Sequence, residues 1–447
     1  MQKLYKDLVK AGAIAGAMVA AILATNTVQA ADKELLDILL SNNAITQEQY
    51  DELLAKEALS TEDAEDIVVS FGGGSGLNIS ADKGDWEVGI GGRLHLEYAQ
   101  HEHDSGLGAL PVNGSTTRRA RLEMDGTIWS KWGWAAEFDL AENEIEHKDV
   151  KMGYEGENFS LYAGNQKQPY SLSLEMSSNE IPFLERSVDN ALVSEFTDRA
   201  IGLRLETSGE NWFFAGGVFG DEIGTDIQGD EGWTTMGRFV YAPIISEDTV
   251  VHLGVRGALR KIADPLTFRI KDKTTDWSNF DIVNTGTLSD TEEVTMFGPE
   301  FAFAVGPFTM MGEYSAMEVS RIAANDLEFD AWHVGGALSL TGEHRAPFYR
   351  IDAGEFKGVR PSTPFDPDNG QWGGLELVAR YASIDLNDGA FIGGTEDAVS
   401  VGINWYLSRN MRYLFDWTHI VDTDESNTVR KSAPGMDIFR VRAQYNY

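Results

Sequence analysis

Cysteine is absent from the 447 residues, which rules out disulfide scaffolds, Cys-ligated zinc, iron–sulfur clusters and thiol catalysis. Basic residues are scarce. There are 36 Lys+Arg against 71 Asp+Glu, a formal charge of −35, and this excludes a nucleic-acid partner because phosphate binding needs a net basic face. Beyond the amino terminus no run of 18 apolar residues occurs, so a helical membrane protein is excluded. What is present is 46 Gly, 11% aromatics and an ordinary charged fraction of 24%, the composition of a folded, β-rich chain rather than a disordered one. The length suits two or three ordinary domains or one very large sheet.

The first thirty residues read as an export signal. Lys3, Lys6 and Lys10 precede an apolar run from Ala11 to Ala24, and Val28-Gln29-Ala30 ends it with a small-x-small cleavage pattern. The run is short against the ~20 residues a spanning helix needs. Removing residues 1–30 takes away three Lys and one Asp, so −35 becomes −37. Residues 31–70 form a different segment. Leu35, Leu36, Leu39 and Leu40 fall at helical spacing, and Thr46 with Gln49 matches a capping box ahead of Leu53 and Leu54. This reads as a short periplasmic amphipathic helical segment, either a peptidoglycan-facing or periplasmic contact module or a solvated tether. Gly72-Gly73-Gly74-Ser75-Gly76 marks residues 71–85 as a flexible linker.

From Trp86 the period changes to two. Val88, Ile90, Leu94, Leu96 and Tyr98 alternate with Glu87, Arg93, His95 and Glu97; Ala120, Leu122 and Met124 alternate with Arg119, Arg121 and Glu123. Val399, Val401, Ile403 and Trp405, then Phe439, Val441, Ala443 and Tyr445, repeat the pattern near the carboxyl end. Strands near ten residues with one wholly apolar face and one polar, even ionic, face suit a sheet that meets lipid outside and water inside. Short connections (near Ser130-Lys131, Gly156, Gly209, Ile244, Gly306-Pro307 and Ser408-Arg409-Asn410) alternate with eight long polar ones, near 99–117, 141–147, 165–197, 220–234, 261–293, 318–328, 385–396 and 422–436. Eight long loops imply sixteen strands over residues 86–447 with both sheet ends on the short-turn side. The fold class is therefore all-β, a 16-stranded antiparallel transmembrane β-barrel of an outer membrane with a helical preface. Residues 342–372, which hold Pro347, Pro361, Pro364 and Pro367, fall where a short turn is due. They read as a periplasmic extension, with two extra strands as the competing reading.

At this point the chain resembles the phosphate-selective porin family, porins O and P, over almost its whole mature length. The segments that carry the likeness include Gly91-Gly92-Arg93-Leu94, Arg118-Arg119-Ala120, Glu137-Phe138-Asp139-Leu140, Leu184-Glu185-Arg186, Gly306-Pro307-Phe308, Gly402-Ile403-Asn404-Trp405-Tyr406 and Arg442-Ala443-Gln444-Tyr445. The resemblance implies a homotrimer in outer-membrane lipid, with a third loop (165–197) folded into each pore and a path for small anions such as phosphate. It also implies site residues: Arg93 and Arg186 match arginines of the phosphate site, Arg118 and Arg119 the outer arginine ladder, and Ser177 and Ser178 the pore serines. The family's central Lys has no clear equivalent, and Met176 occupies the nearest position. Period two independently puts Arg93 and Arg119 on the lumen face, whereas Arg118 would act from a strand end. Guanidinium groups suit phosphate because their donor fork matches its oxygens and their charge does not titrate away.

Two other pore readings and one of another class stand beside this. Arg119, Arg121 and Arg256 would pair with Glu97, Glu123 and Asp125 in a general or weakly cation-selective porin. An envelope anchor would use the helical preface and leave the pore incidental. An enzyme is not expected: none of the eight His lies beside a nucleophile elbow, and His101-Glu102-His103-Asp104 reads as a solvated loop rather than a metal site. Neither a cofactor nor a metal is called for.

Overall fold

The structure is a computed structural model that describes residues 40, 46–47, 49–51, 67–72, 76–81, 84–103, 113–141, 145–220, 230–273, 275, 281–423 and 435–447. It divides into two compact units, residues 1–68 with 81–84 and residues 69–80 with 85–447. In the first the capping box forms: the Thr46 N–H donates to Gln49 Oε1 at 2.9 Å and the Gln49 N–H to Thr46 Oγ1 at 3.2 Å. The export signal at 1–30 and most of the helical segment at 31–70 lie outside the described residues. The stretch read as a linker holds strands instead, Ile67–Gly72 and Gly76–Ala81. The second of them pairs with the start of the barrel from Leu77↔Ile90 to Ser80↔Glu87.

No helix among the described residues is long and apolar enough to cross a membrane. The second unit is a closed barrel of sixteen antiparallel strands: β1 (Trp86–Glu102), β2 (Gly114–Ile128), β3 (Trp132–Asp139), β4 (Glu146–Glu155), β5 (Ser160–Lys167), β6 (Arg199–Ser208), β7 (Trp212–Phe219), β8 (Trp233–Ile245), β9 (Thr249–Lys261), β10 (Thr291–Val305), β11 (Phe308–Arg321), β12 (Leu327–Ser339), β13 (Gly374–Asp388), β14 (Phe391–Tyr406), β15 (Met411–Thr423) and β16 (Asp437–Asn446). Closure runs from Asp437↔Glu102 to Asn446↔Arg93 between β16 and β1. At that seam Gly92 and Tyr447 exchange both main-chain hydrogen bonds at 3.0 Å. A Cβ on Gly92 would lie 2.3 Å from the Arg121 carbonyl oxygen, so only glycine fits. The apolar phase faces outward as the alternation requires, with Leu96, Ile403, Phe439 and Tyr445 exposed on the skin and Arg93, His95 and Glu97 buried inside. Strands β3 to β7 have 8 to 10 residues against 13 to 16 for β8 to β15, so the wall is low along one arc.

The connections depart from the expected layout in two places. The region expected as a long loop at 385–396 is a tight turn, because β13 runs to Asp388 and β14 starts at Phe391, with Gly389 at φ 56 between them. The proline-rich segment adds no barrel strand: β12 and β13 are direct neighbours from Asp330↔Asp385 to Ser339↔Glu376. The first half of the insert (residues 340–373) enters the bore. Its Ala346, Tyr349 and Phe356 pack in one cluster with Leu172, Met176 and Ile181 of the third loop and with Ala242, Val250, Ala302 and Ala304 of the wall. The second half stays at the rim, where Phe365 stacks edge-on against Trp405.

The bore is therefore not an open polar cylinder. On the inner faces of β8 to β13 residues such as Val294, Met296, Met317, Val319 and Phe329 are buried against the third loop and against loop 262–290, whose Phe268, Ile270 and Val283 join the same core. Apolar side chains on both faces of these strands are what a sheet covered on both sides needs. The open passage is left along β1 to β6 and, on the long-loop side, along β13 to β16 as well.

Candidate functional site

The third loop (168–198) carries two short helices, α1 (Leu172–Glu175) and α2 (Asn190–Thr197), and is fixed to the wall through both its N–H and its C=O groups. At its start, Ser171 caps α1 by accepting from the Leu174 N–H at 3.2 Å. The Leu172 N–H donates to Glu300 at 3.1 Å and the Ser173 N–H to Glu313 at 2.7 Å. Glu300, wholly buried, also accepts from Arg238 at 2.8 Å, Arg256 at 3.0 Å and His252 at 3.1 Å. Further along, wall side chains donate to successive loop carbonyls: Arg412 to Ser178 and Ile181, Asn404 to Pro182, Arg442 to Leu184 and Arg380 to Glu185, at 2.6 to 3.3 Å. A buried loop needs this complete accounting of its main chain.

The front edge of the loop brings the expected residues together. Arg93 donates to Glu123 at 2.5 Å, to Ser177 Oγ at 3.0 Å and to Ser178 Oγ at 3.2 Å. Both serine hydroxyls accept there, which leaves each O–H hydrogen to be donated. Arg118 does not act from a strand end. The β1–β2 register shifts between His95↔Arg119 and Leu96↔Thr117, so Arg118 is the extra residue of a bulge in mid-strand. A bulge re-aims one side chain, and here it turns Arg118 to the same acceptor as its neighbour: Arg118 and Arg119 both reach Glu185 at 3.0 Å. Arg442 also reaches Glu185 and is shared with Glu97. Burial alone pushes the Glu185 carboxyl up, but the guanidinium groups of Arg118, Arg119 and Arg442 outweigh it and hold Glu185 well below the usual carboxylate range. The pairings open at the sequence level form with other partners: Arg121 takes Glu137 and Asp139, and Arg256 takes Glu300 and Glu313.

Arg186 stands apart. It donates to the carbonyls of Ser173 (2.7 Å), Leu174 (3.4 Å) and Met176 (2.9 Å), and to no carboxylate among the described residues. Met176, nearest in sequence to the family's lysine, has no exposed surface and packs under the loop. An ammonium arrives from elsewhere: Lys167, the last residue of β5, donates to Leu174 O at 2.7 Å and Glu175 O at 3.1 Å. Glu175 is itself engaged by Arg204 at 3.1 and 3.0 Å, which overcomes the burial effect and keeps its carboxyl below the ordinary value. Arg380 and Arg412 complete a set of four cations that have main-chain carbonyls as partners and no carboxylate within salt-bridge distance among the described residues.

Two cavities meet at this neck. One of about 610 Å³ on the long-loop side is lined by Arg118, Lys148, Arg380 and Arg440, with Lys271 and Lys273 from loop 262–290. The other, of about 280 Å³ on the short-turn side, is lined by Arg93, Lys167, Ser177, Ser178 and Arg204. Arg119, Arg121, Leu174, Arg186, Asp198 and Arg199 line both. Ten basic and six acidic residues face the first cavity, eight and five the second, so each is net positive although the chain is strongly acidic. The segment His101 to Asp104 departs from the solvated loop expected of it: His101 and Glu102 end β1 and His101 is buried, while Asp104 lies outside the described residues.

A closed antiparallel barrel with a lipid-facing skin, a constriction loop inside and a charged passage along one wall defines an outer-membrane porin. The chain belongs to the family of phosphate-selective porins O and P, whose family model matches residues 88–447. Among its relatives, an uncharacterised protein of Caulobacter vibrioides is 28% identical over 349 residues, covering 75% of this chain and 68% of the relative. Porin O of Pseudomonas aeruginosa is 25% identical over 390 residues, covering 78% and 85%. In fold it is similar to OmpT, an outer membrane protein of Vibrio cholerae solved in a trimer form, with TM-score 0.52 at 13% identity, covering 81% of this chain and 99% of that one.

Proposed function

We propose that this porin passes small hydrophilic anions by passive diffusion, phosphate among them, and that Arg93, Arg118, Arg119, Ser177, Ser178 and Arg186 line the path together with Lys167. The observation that carries the reading is the set of cations at the neck bound to carbonyl oxygens. Carbonyl oxygens orient Lys167 and Arg186 without a carboxylate to close an ion pair, so an ammonium and a guanidinium stand as cationic donors where the passage narrows. The free hydroxyl hydrogens of Ser177 and Ser178 add neutral donors beside them. Several moderate contacts of this kind let an anion enter and leave, as conduction requires. The family's description and the name of its Pseudomonas relative support phosphate as a solute. A homotrimer would join along the low arc of β3 to β7, and the trimer form of the Vibrio fold neighbour supports the oligomer. The test is chloride current through single channels in a planar bilayer. Added phosphate should block it in a saturable way and sulfate more weakly; an unblocked current at tens of millimolar phosphate removes phosphate from the reading.

A further inference from the structure

Behind the constriction loop, on the side away from the passage, Arg412 is 4% exposed and lines neither cavity. It donates to Ile181 O at 3.1 Å, to Ser178 O at 3.3 Å and to the side-chain oxygen of Gln444 at 3.1 Å, and its Nε–H has no acceptor among the described residues. The ring of Tyr406 lies 5.7 Å from the guanidinium. Glu376, two strands away on β13, is taken by Arg345 at 2.7 Å and does not serve Arg412. A buried guanidinium without a carboxylate is costly unless its field is used or answered.

We propose that Arg412 is a positioning and selectivity residue that never touches the solute. It holds Ser178 to Ile181 in place from behind and adds an uncancelled positive charge to the potential at the neck. Ser178 links the two sides, because its carbonyl accepts from Arg412 at the back while its hydroxyl accepts from Arg93 at the front. Charge acts through a low-dielectric wall with little screening, so a cation one residue's thickness behind the lip still reaches the passage. Gln444 is the natural control point. It faces Arg412 from β16 and donates its own N–H to Asn179 O at 3.3 Å, and replacing its amide with a carboxylate would cancel the charge with little change of shape. The inference rests on the anion reading above.

The experiment measures reversal potential in a KCl gradient for wild type, Arg412→Gln, Arg412→Lys and Gln444→Glu, each checked for assembly by heat-modifiable mobility on a gel. The expected result is a several-fold fall in the chloride-over-potassium permeability ratio for Arg412→Gln and for Gln444→Glu, with Arg412→Lys near wild type. If Arg412→Gln does not assemble, Gln444→Glu carries the test, since it leaves the arginine in place. An anion-preferring wild type with an unchanged ratio in Gln444→Glu overturns the role of Arg412 and leaves the anion reading standing. A wild type that prefers potassium overturns both.

Discussion

Lys167→Met removes the ammonium that the sequence did not assign to the neck and keeps the length of the side chain. The short-turn cavity then changes from eight basic and five acidic lining residues to seven and five, a fall from +3 to +2. Arg93, Ser177, Ser178 and Lys167 line one cavity of about 280 Å³. For an anion taken to be ~4–6 Å from a charged Nζ, at an effective dielectric of about 40, between bulk water and a protein surface, that charge contributes about 1.4–2 kcal/mol. Phosphate should therefore block the chloride current about ten- to thirtyfold more weakly in the variant, since ~1.4 kcal/mol is tenfold. The two carbonyls that lose a donor, Leu174 O and Glu175 O, face a wet cavity and can take water instead. Lys167→Arg keeps the charge and should retain most of the block. The assay is the concentration of phosphate that halves single-channel chloride current at fixed voltage and salt. A block constant in Lys167→Met within twofold of wild type would refute the assignment of Lys167.

Glu185→Gln removes a negative charge from beside Arg118 and Arg119 while Arg442 keeps Glu97, so anion preference should rise several-fold; losing one partner of a buried cluster should also destabilise the loop by about 3–5 kcal/mol, seen as a lower melting temperature. Because the Glu185 carboxyl is depressed in the folded state, its stabilisation is complete above the unfolded value of about 4.3 and is lost only as pH falls through the lower folded value. The reversal potential of Glu185→Gln relative to wild type should then stay constant from pH 7 to 5, and a relative shift with a midpoint near 6 would contradict this. Glu300→Gln takes the carboxylate from Arg238, leaves Arg256 with Glu313 alone and removes one of the two acceptor oxygens that the Leu172 N–H, Arg238, Arg256 and His252 share, so open-channel noise should rise while a quiet trace like that of wild type would count against the anchor. Gly92→Val places side-chain carbons against Arg121 O and Tyr447, so the β16–β1 seam should fail to close and the heat-modifiable band should be lost.

The barrel was legible because period two is a local property. Each of Leu94, Leu96, Ile403 and Val441 points outward for the same reason its neighbour points in, and counting loops gave the sixteen strands. Arg93 and Arg119 followed from parity and sit on the inner face. Parity failed at Arg118, where a single extra residue in β2 breaks the register without changing composition. It also gave no warning that the bore is half filled. The inward Val294, Met317 and Phe329 read as ordinary strand residues until the loop that covers them is in place. Lys167 was visible as a residue but not as a partner, since the carbonyls that hold it belong to a helix five to eight residues later whose position is set by Glu300, more than a hundred residues away in sequence. Contacts at that separation leave no trace in spacing.

The most direct measurement is the sign of the zero-current potential of the wild-type channel between unequal KCl solutions. A barrel whose narrowest part is lined by cations held on carbonyls should give the sign of chloride permeating faster than potassium, and that preference should weaken at molar salt as the Debye length shrinks to about 3 Å. The opposite sign, or a potential of zero at low salt, would contradict the central claim.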